Sequence, residues 1–188
     1  MYVPSKDNLA DAPSRVLSSS DCLLSPHVWK EIEKRWGPHS IDLMALDSNA
    51  PVDAQGSRLR LFTPWPTKDS VGVNVLSHLD NAYVFPPLAL VGVVLRFLAS
   101  QSCPFTIVVP DPQPRRYWWP VISGCAQDSG RLDVLGVHDV LLFPTSDGAF
   151  LSRPLLWDIW AFRVSSNFQN FLLGHPHGSP SLANSCPV

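Results

Sequence analysis

The sequence predicts an α/β fold in which a mainly parallel sheet is flanked by helices and joined by irregular, Pro-rich connections. Three observations support this prediction. The elements follow one another as helix, strand, crossing, strand, helix, strand, helix, an order that builds a parallel sheet covered by helices. The 188 residues, of which 45% are hydrophobic, are enough for one core. The 19 prolines are about twice the usual share, which requires many short elements and rigid connections.

The first helix and the first strand have clear boundaries. Ser25 is a suitable N-cap, Pro26 occupies the first helical position, and Gly37 ends the helix. The apolar run at 41–46 contains one acid and is typical of a buried parallel strand. The long segment that follows has poor periodicity, so we predict an irregular crossing with one short helix near 71–79.

The central part of the chain alternates strands and helices. A strand at 81–85 is halted by two prolines, because proline lacks the donor that a strand ladder needs, and an apolar helix follows at 88–101. Residues 105–109 form the clearest strand, rich in β-branched and aromatic side chains. Residues 115–126 are predicted as a helix that is broken or kinked at Pro120.

The last third of the chain is predicted to contain a hairpin, a helix and a loose tail. The apolar runs 132–137 and 140–143 have the spacing of two hairpin strands. Residues 155–164 are predicted as the last helix. The tail at 174–188 is rich in Pro, Ser and Gly, which is typical of a poorly ordered terminus.

Charge and cysteine usage exclude several classes of protein. The 14 Lys and Arg are balanced by 16 Asp and Glu, so the net charge of the chain cannot by itself drive binding to nucleic acid. Any basic surface must therefore be a local patch. The 4 cysteines are scattered without a CxxC pair, and no metal site or disulfide framework is predicted.

The longest apolar stretch, at 88–99, is shorter than the roughly 20 residues of a bilayer span. The polar amino terminus is not typical of a signal peptide, and we expect an intracellular protein, cytoplasmic or nuclear, with no membrane span.

Candidate ligand-binding residues lie where the predicted parallel strands end. The carboxyl ends of such strands meet at one rim, where ligands bind. Asp42 and Asn49 belong to the end of one strand, and Phe85, Pro86 and Pro87 follow the next. These residues form the candidate cofactor-binding set. Asp42 can also be a partly buried acid paired with a backbone donor or an arginine, and Asn49 can be an ordinary turn residue.

The amino-terminal segment resembles the end of a known domain. Within residues 2–15, an Asn, an Ala-Asp pair and a Ser-Arg pair follow the order found at the end of the ribonuclease H domain in retroelement reverse transcriptases. The resemblance implies that Asp11 corresponds to the final carboxylate of that two-metal site. Such a site needs further carboxylates, which the preceding chain would have to carry. We therefore expect Asp11 to be a catalytic relic and residues 1–20 to be a remnant of ribonuclease H.

A second resemblance covers residues 25–122. The matching segments share their order and spacing with the region after ribonuclease H in DIRS-like retroelement polyproteins: 36–38, 41–49, 82–87 and 107–110. That region in turn is similar to the adenine methyltransferase domains of phages, which contain a Rossmann-like sheet. The resemblance implies a methyltransferase-like domain at 21–145, with a C-terminal helix and a loose tail at 146–188.

The diproline loop departs from the enzyme pattern. Amino methyltransferases of this type place an Asn or Asp before the two prolines and an aromatic residue after them. The polar side chain accepts a hydrogen bond from the target amine, and the ring stacks on the flipped base. Phe85 and Leu88 stand at those two positions. We therefore expect no cofactor and a catalytically inactive module that binds nucleic acid or serves as a protein scaffold. The alternative is an S-adenosylmethionine-dependent methyltransferase that acts on nucleic acid.

One cluster combines cations with aromatic rings. Arg115, Arg116, Tyr117 and Trp119 could neutralise phosphates and stack on bases, and they are the candidate nucleic-acid contacts. The alternative is a helix that buries Tyr117 and one neighbouring tryptophan while its arginines face water. The expected partners are accordingly nucleic acid or other protein subunits of a larger assembly.

Overall fold

A computed structural model describes residues 21–46, 48–53, 55–62, 80–101, 103–132, 139–165 and 168. Within these ranges the architecture is mixed α/β, with three α-helices, one 3₁₀ helix and nine strands. The α-helices are α1 (Pro26–Trp36), α2 (Val91–Ala99) and α3 (Trp119–Cys125), and the 3₁₀ helix Leu88–Leu90 precedes α2. The strands are β1 (Leu23–Leu24), β2 (Ile41–Asp42), β3 (Arg60–Leu61), β4 (Ala82–Val84), β5 (Phe105–Pro110), β6 (Ala126–Arg131), β7 (Leu141–Pro144), β8 (Phe150–Ser152) and β9 (Ile159–Val164).

Six of these strands form the main sheet, in the order β3-β2-β4-β5-β9-β6. The pairs β3-β2, β2-β4 and β4-β5 are parallel, whereas β5-β9 and β9-β6 are antiparallel. The sheet is therefore mixed, with β9 as its reversed strand. The predicted strands at 41–46, 83–85 and 105–109 are expected to be parallel neighbours, and this is confirmed, since Asp42 pairs with Tyr83 and Tyr83 with Thr106 in parallel registers.

The main sheet is covered by helices on both faces. Phe105, Ile107 and Val109 of β5 pack in one cluster with residues of α2 and α3, and the intervening Val108 packs with residues of α1. Successive side chains of a strand point to opposite faces, so a strand that is buried on both faces must be apolar at nearly every position. The continuous apolar run of β5 has this cause.

The predicted helix at 155–164 is wrong. Ile159–Val164 forms β9, which pairs along its whole length with β5 and also with β6. Local periodicity does not distinguish a short buried strand from a helix, and the pairing with two neighbours decides the outcome. The main sheet thus includes residues beyond the predicted domain boundary at 145.

Most of the first strand of the predicted hairpin of 132–137 with 140–143 lies outside the described residues, and its second strand corresponds to β7. β7 pairs antiparallel with β1 and β8, which gives a second sheet in the order β1-β7-β8. Residues 133–138 lie outside the described residues, as do the predicted short helix at 71–79, the tail at 174–188 and the ribonuclease H remnant with Asp11.

Two predicted elements are shorter in the structure. The helix predicted at 115–126 begins at Trp119, because Pro120 occupies its first turn, where no donor is needed, and therefore does not kink it. The strand predicted at 41–46 ends at Asp42, whose carboxylate accepts the Met44 N–H and turns the chain away from the sheet. None of the described helices is both long enough and apolar enough to cross a bilayer.

Candidate functional site

Two cavities share a wall at the carboxyl edge of the main sheet, where β2 and β4 end. The first, the strand-end cavity, has a volume of about 210 Å³ and is lined by residues that include Asp42, Asn49 and Tyr83. The second, the diproline cavity, has a volume of about 510 Å³ and is lined by residues that include Pro86, Pro87, Arg153 and Trp157. Phe85 and Cys22 line both cavities. The structure thus brings Asp42, Asn49 and the diproline loop to one edge, where the sequence predicts a ligand site.

Asp42 ends β2 as a buried carboxyl group. The residue is 4% exposed, and its Oδ1 accepts the Met44 backbone N–H at 2.9 Å. Burial raises the pKa of this carboxyl from 3.8 to about 7, while the Met44 hydrogen bond acts in the opposite direction. Of the two predicted roles, the pairing with a backbone donor is present, and it occupies one carboxyl oxygen.

Asn49 has a turn role. Its Oδ1 accepts the Leu46 N–H at 2.6 Å, and its Nδ2 donates to the Asp21 carbonyl at 3.4 Å. These bonds close the loop after β2 and tie it to the segment before β1. Because both polar atoms of the side chain bond to backbone groups of this region, the Asn49 amide stabilises the wall of the cavity.

The strand-end cavity does not fit S-adenosylmethionine. Cofactor and small-molecule sites usually occupy about 300–1,000 Å³, and this cavity of about 210 Å³ lies below that range. The volume of this cavity therefore disagrees with a cofactor of that size.

Phe85 is the wall between the two cavities. It is half-buried and follows β4, while Pro86 behind it is buried and Leu88 packs against the core cluster of α2. A phenyl ring carries no lone pair that could accept a hydrogen bond from an amine. The position at which a methyltransferase of the resembled type needs its acceptor is thus filled by an apolar ring.

The predicted cluster of cations and aromatic rings contains one buried residue, Trp119, and three exposed ones, Arg115, Arg116 and Tyr117. Trp119 is 6% exposed and packs edge-to-face against Phe162, with ring centroids 5.4 Å apart, so its ring cannot stack on a base. Arg115 lies over the Trp119 ring and forms an ion pair with Asp111 at 3.0 Å. Tyr117 is 70% exposed, contrary to the alternative that buries it, and Arg116 is also exposed.

A buried polar cluster at the opposite, amino edge of the main sheet has no counterpart in the sequence predictions. His39 Nδ1 contacts Glu33 Oε2 at 2.5 Å, and His39 Nε2 contacts Thr106 Oγ1 at 2.9 Å. Arg163 on β9 donates to Asn81 Oδ1 at 2.5 Å and to Thr106 Oγ1 at 3.3 Å. The carboxylate, imidazole and hydroxyl follow one another as in a hydrolase triad, but Thr106 is fully buried, and no substrate reaches it.

The aromatic lining of the cavities was not predicted from the sequence. Trp29 from α1 and Tyr83 from β4 line the strand-end cavity, and Trp157 lines the diproline cavity. Tyr83 lies inside an apolar run, which the sequence signals only as a buried strand, and Trp29 lies on the apolar face of a helix. Neither pattern distinguishes a residue of the core from one that lines a cavity.

Comparisons with family models, curated proteins and solved structures find no match for this chain, so no relative assigns a role to these residues. In the part of the chain that the structure describes, no three His, Cys, Asp or Glu side chains are grouped so that they could hold a metal ion.

Proposed function

We propose that this chain is a methyltransferase-like module of a retroelement polyprotein that does not transfer methyl groups and binds single-stranded nucleic acid at the carboxyl edge of its main sheet. The observation that supports this most strongly is the place of Phe85. It follows the central strand β4, separates the two cavities and offers no acceptor for an amine.

The strand arrangement supports the Rossmann-like part of the proposal. β3, β2, β4 and β5 are parallel, and β6 points the same way, because it and β5 are both antiparallel to the β9 strand between them. One reversed strand in an otherwise parallel sheet is compatible with a mostly parallel, Rossmann-like arrangement. The candidate residues lie at the carboxyl ends of these strands, where open α/β sheets bind their ligands.

The surroundings of the diproline cavity support binding of a nucleobase. Its volume of about 510 Å³ lies within the usual range for small ligands. Trp157 is 39% exposed at its rim, and Arg153, whose guanidinium lies over the Phe143 ring, is also part of the lining. Exposed rings next to arginines are the features that bind single strands, because every base has a face that can stack.

Charge pairing indicates that this binding is weak. Arg115 pairs with Asp111, and Arg131 pairs with Asp158 at 3.1 Å, so both arginines already have an acidic neighbour. A phosphate would have to compete with these carboxylates. We therefore expect binding that depends on stacking as much as on charge and that falls as salt is raised.

Methyl transfer is tested with a labelled methyl donor and single- and double-stranded DNA and RNA. We expect no incorporation above background, since losing one preorganised polar contact commonly costs about 10²- to 10³-fold in rate. Phe85→Asn restores an acceptor at that position and is the positive comparison. Incorporation by the natural chain that Asp42→Ala abolishes would show a working enzyme and overturn the proposal.

Binding is tested by fluorescence anisotropy with labelled single-stranded RNA and DNA. Arg153→Ala combined with Trp157→Ala should weaken binding about tenfold, because both stacking and charge are lost. Lys34→Ala is the matched control, since Lys34 is an exposed cation near the end of α1, away from the carboxyl edge. Equal affinities for all three proteins, or no binding at low salt, would contradict the nucleic-acid role and favour a protein scaffold.

A further inference from the structure

The strand-end cavity combines one buried acid with an aromatic lining. Trp29, Tyr83 and Phe85 contribute rings, and Met44 contributes a thioether. Among the described residues that line the cavity, Asp42 is the only Asp, Glu, Lys, Arg or His. The Cys22 thiol, which also lines the cavity, stays neutral at physiological pH because burial raises its pKa to about 11.

Two polar atoms of this cavity have no hydrogen-bond partner among the described residues. Asp42 uses Oδ1 for the Met44 N–H, and nothing in the described part of the chain donates to Oδ2. The hydroxyl of Tyr83 likewise has no partner there, although the residue is only 3% exposed. Both residues line the cavity, so these two atoms are free to bond to a molecule that occupies it.

We propose that the strand-end cavity binds a small organic cation of the alkylammonium class, with Asp42 as its counter-ion and the aromatic rings as its walls. An unpaired carboxylate in an apolar site attracts a cation more strongly than it attracts a neutral ligand, because water screens the charge less there. Aromatic rings add cation–π attraction, which is strongest for desolvated cations such as quaternary ammonium groups.

The volume sets the size of the ligand. The cavity of about 210 Å³ equals the space of about seven water molecules. That space accommodates an alkylammonium the size of choline and excludes nucleotides. The same chemistry occurs in a free metabolite and at the tip of a methylated lysine side chain. This inference does not rest on the proposed function, because it uses Asp42 and the strand-end cavity, which share only Phe85 and Cys22 with the diproline cavity.

The experiment is a ligand-observed NMR titration with choline, with the neutral analogue of choline in which carbon replaces nitrogen, and with a peptide that carries trimethyl-lysine. We expect choline to bind about tenfold or more tightly than its neutral analogue, since only the cation uses the Asp42 charge. Binding of the peptide as well would identify a methylated side chain as the source, whereas choline alone would indicate a free metabolite. Equal affinity for choline and the neutral analogue, or binding of neither, would overturn the inference.

Conservative variants separate a loss of choline binding from a loss of folding. Asp42→Asn retains an oxygen for the Met44 N–H and should lose the preference for the cation. Phe85→Leu keeps an apolar wall, removes one ring and should weaken choline binding severalfold without changing binding of the neutral analogue. Asp80→Asn removes the same charge from an exposed site just before β4, at the opposite edge, and should leave choline binding unchanged. If Asp42→Asn and Asp80→Asn behave alike while both remain folded, Asp42 is not the counter-ion.

Discussion

The buried polar groups at the two edges of the main sheet differ in their hydrogen bonding. At the amino edge, His39 is bonded through both ring nitrogens, and Arg163 and Asn81 complete a connected cluster. At the carboxyl edge, Asp42 has a single backbone donor, and its neighbour Tyr83 has none for its hydroxyl among the described residues. A connected polar cluster holds the fold in one arrangement. The amino edge has such a cluster, whereas at the carboxyl edge the polar atoms without a partner among the described residues face a cavity.

The largest expected effect on the contrast between the two edges is at Asp42, where the free energy of unfolding should depend on pH. Its pKa is raised by burial to about 7 in the folded chain, against 3.8 when exposed, so the folded state holds the proton more tightly. The stability that this group contributes is full below about pH 4 and is lost as the pH rises towards 7. Asp42→Asn should therefore stabilise the chain at pH 8 by roughly 4 kcal/mol and change little at pH 4.

The measurement is urea unfolding of both proteins at the two pH values, without added organic cations. Asp80→Asn is the control, because that side chain is exposed. A constant difference between Asp42→Asn and the natural chain across this pH range would mean that Asp42 is already satisfied, and the contrast between the edges would fail.

A smaller effect is expected at the amino edge. Thr106→Val preserves shape but removes the hydroxyl that contacts both His39 Nε2 and Arg163 Nη1. Leaving buried polar atoms unsatisfied should cost about 2 kcal/mol of unfolding free energy, without any effect on ligand binding at the other edge. Ser100→Ala removes an exposed hydroxyl and should change stability by less than about 0.5 kcal/mol. A neutral result for Thr106→Val would show that this cluster does not hold the fold.

The smallest effect on stability is expected at the exposed part of the cation and aromatic cluster. Tyr117→Ala should change the unfolding free energy by less than about 0.5 kcal/mol, whereas Trp119→Ala, two residues further along the chain, should cost about 3–5 kcal/mol. If Tyr117 stacks on nucleic acid, its loss should weaken single-strand binding about fivefold in the anisotropy assay. Unchanged binding would confine the interface to the diproline cavity.

The sequence carries enough information for the parallel core but not for the completed sheet. The first helix and β5 are predictable, because a capping residue with proline and a continuous apolar run reflect local sterics and burial on two faces. β9 is not predictable in this way. Its apolar positions satisfy a helical pattern as well as a strand, and only the pairing with β5 and β6 selects the strand.

The candidate site also has features that the sequence predicts and features that only the tertiary structure sets. The sequence by itself determined that Asp42 and the diproline loop follow apolar strands and that an apolar ring, Phe85, precedes the two prolines, because these are properties of residue type and order. The tertiary structure decided which of these groups stay unpaired. It engaged Asn49 in a loop, buried Trp119 against Phe162 and left Asp42 facing an aromatic cavity with Tyr83 and Trp29. Burial and hydrogen-bond partners depend on residues that are far apart in the chain, so the local sequence pattern does not predict them.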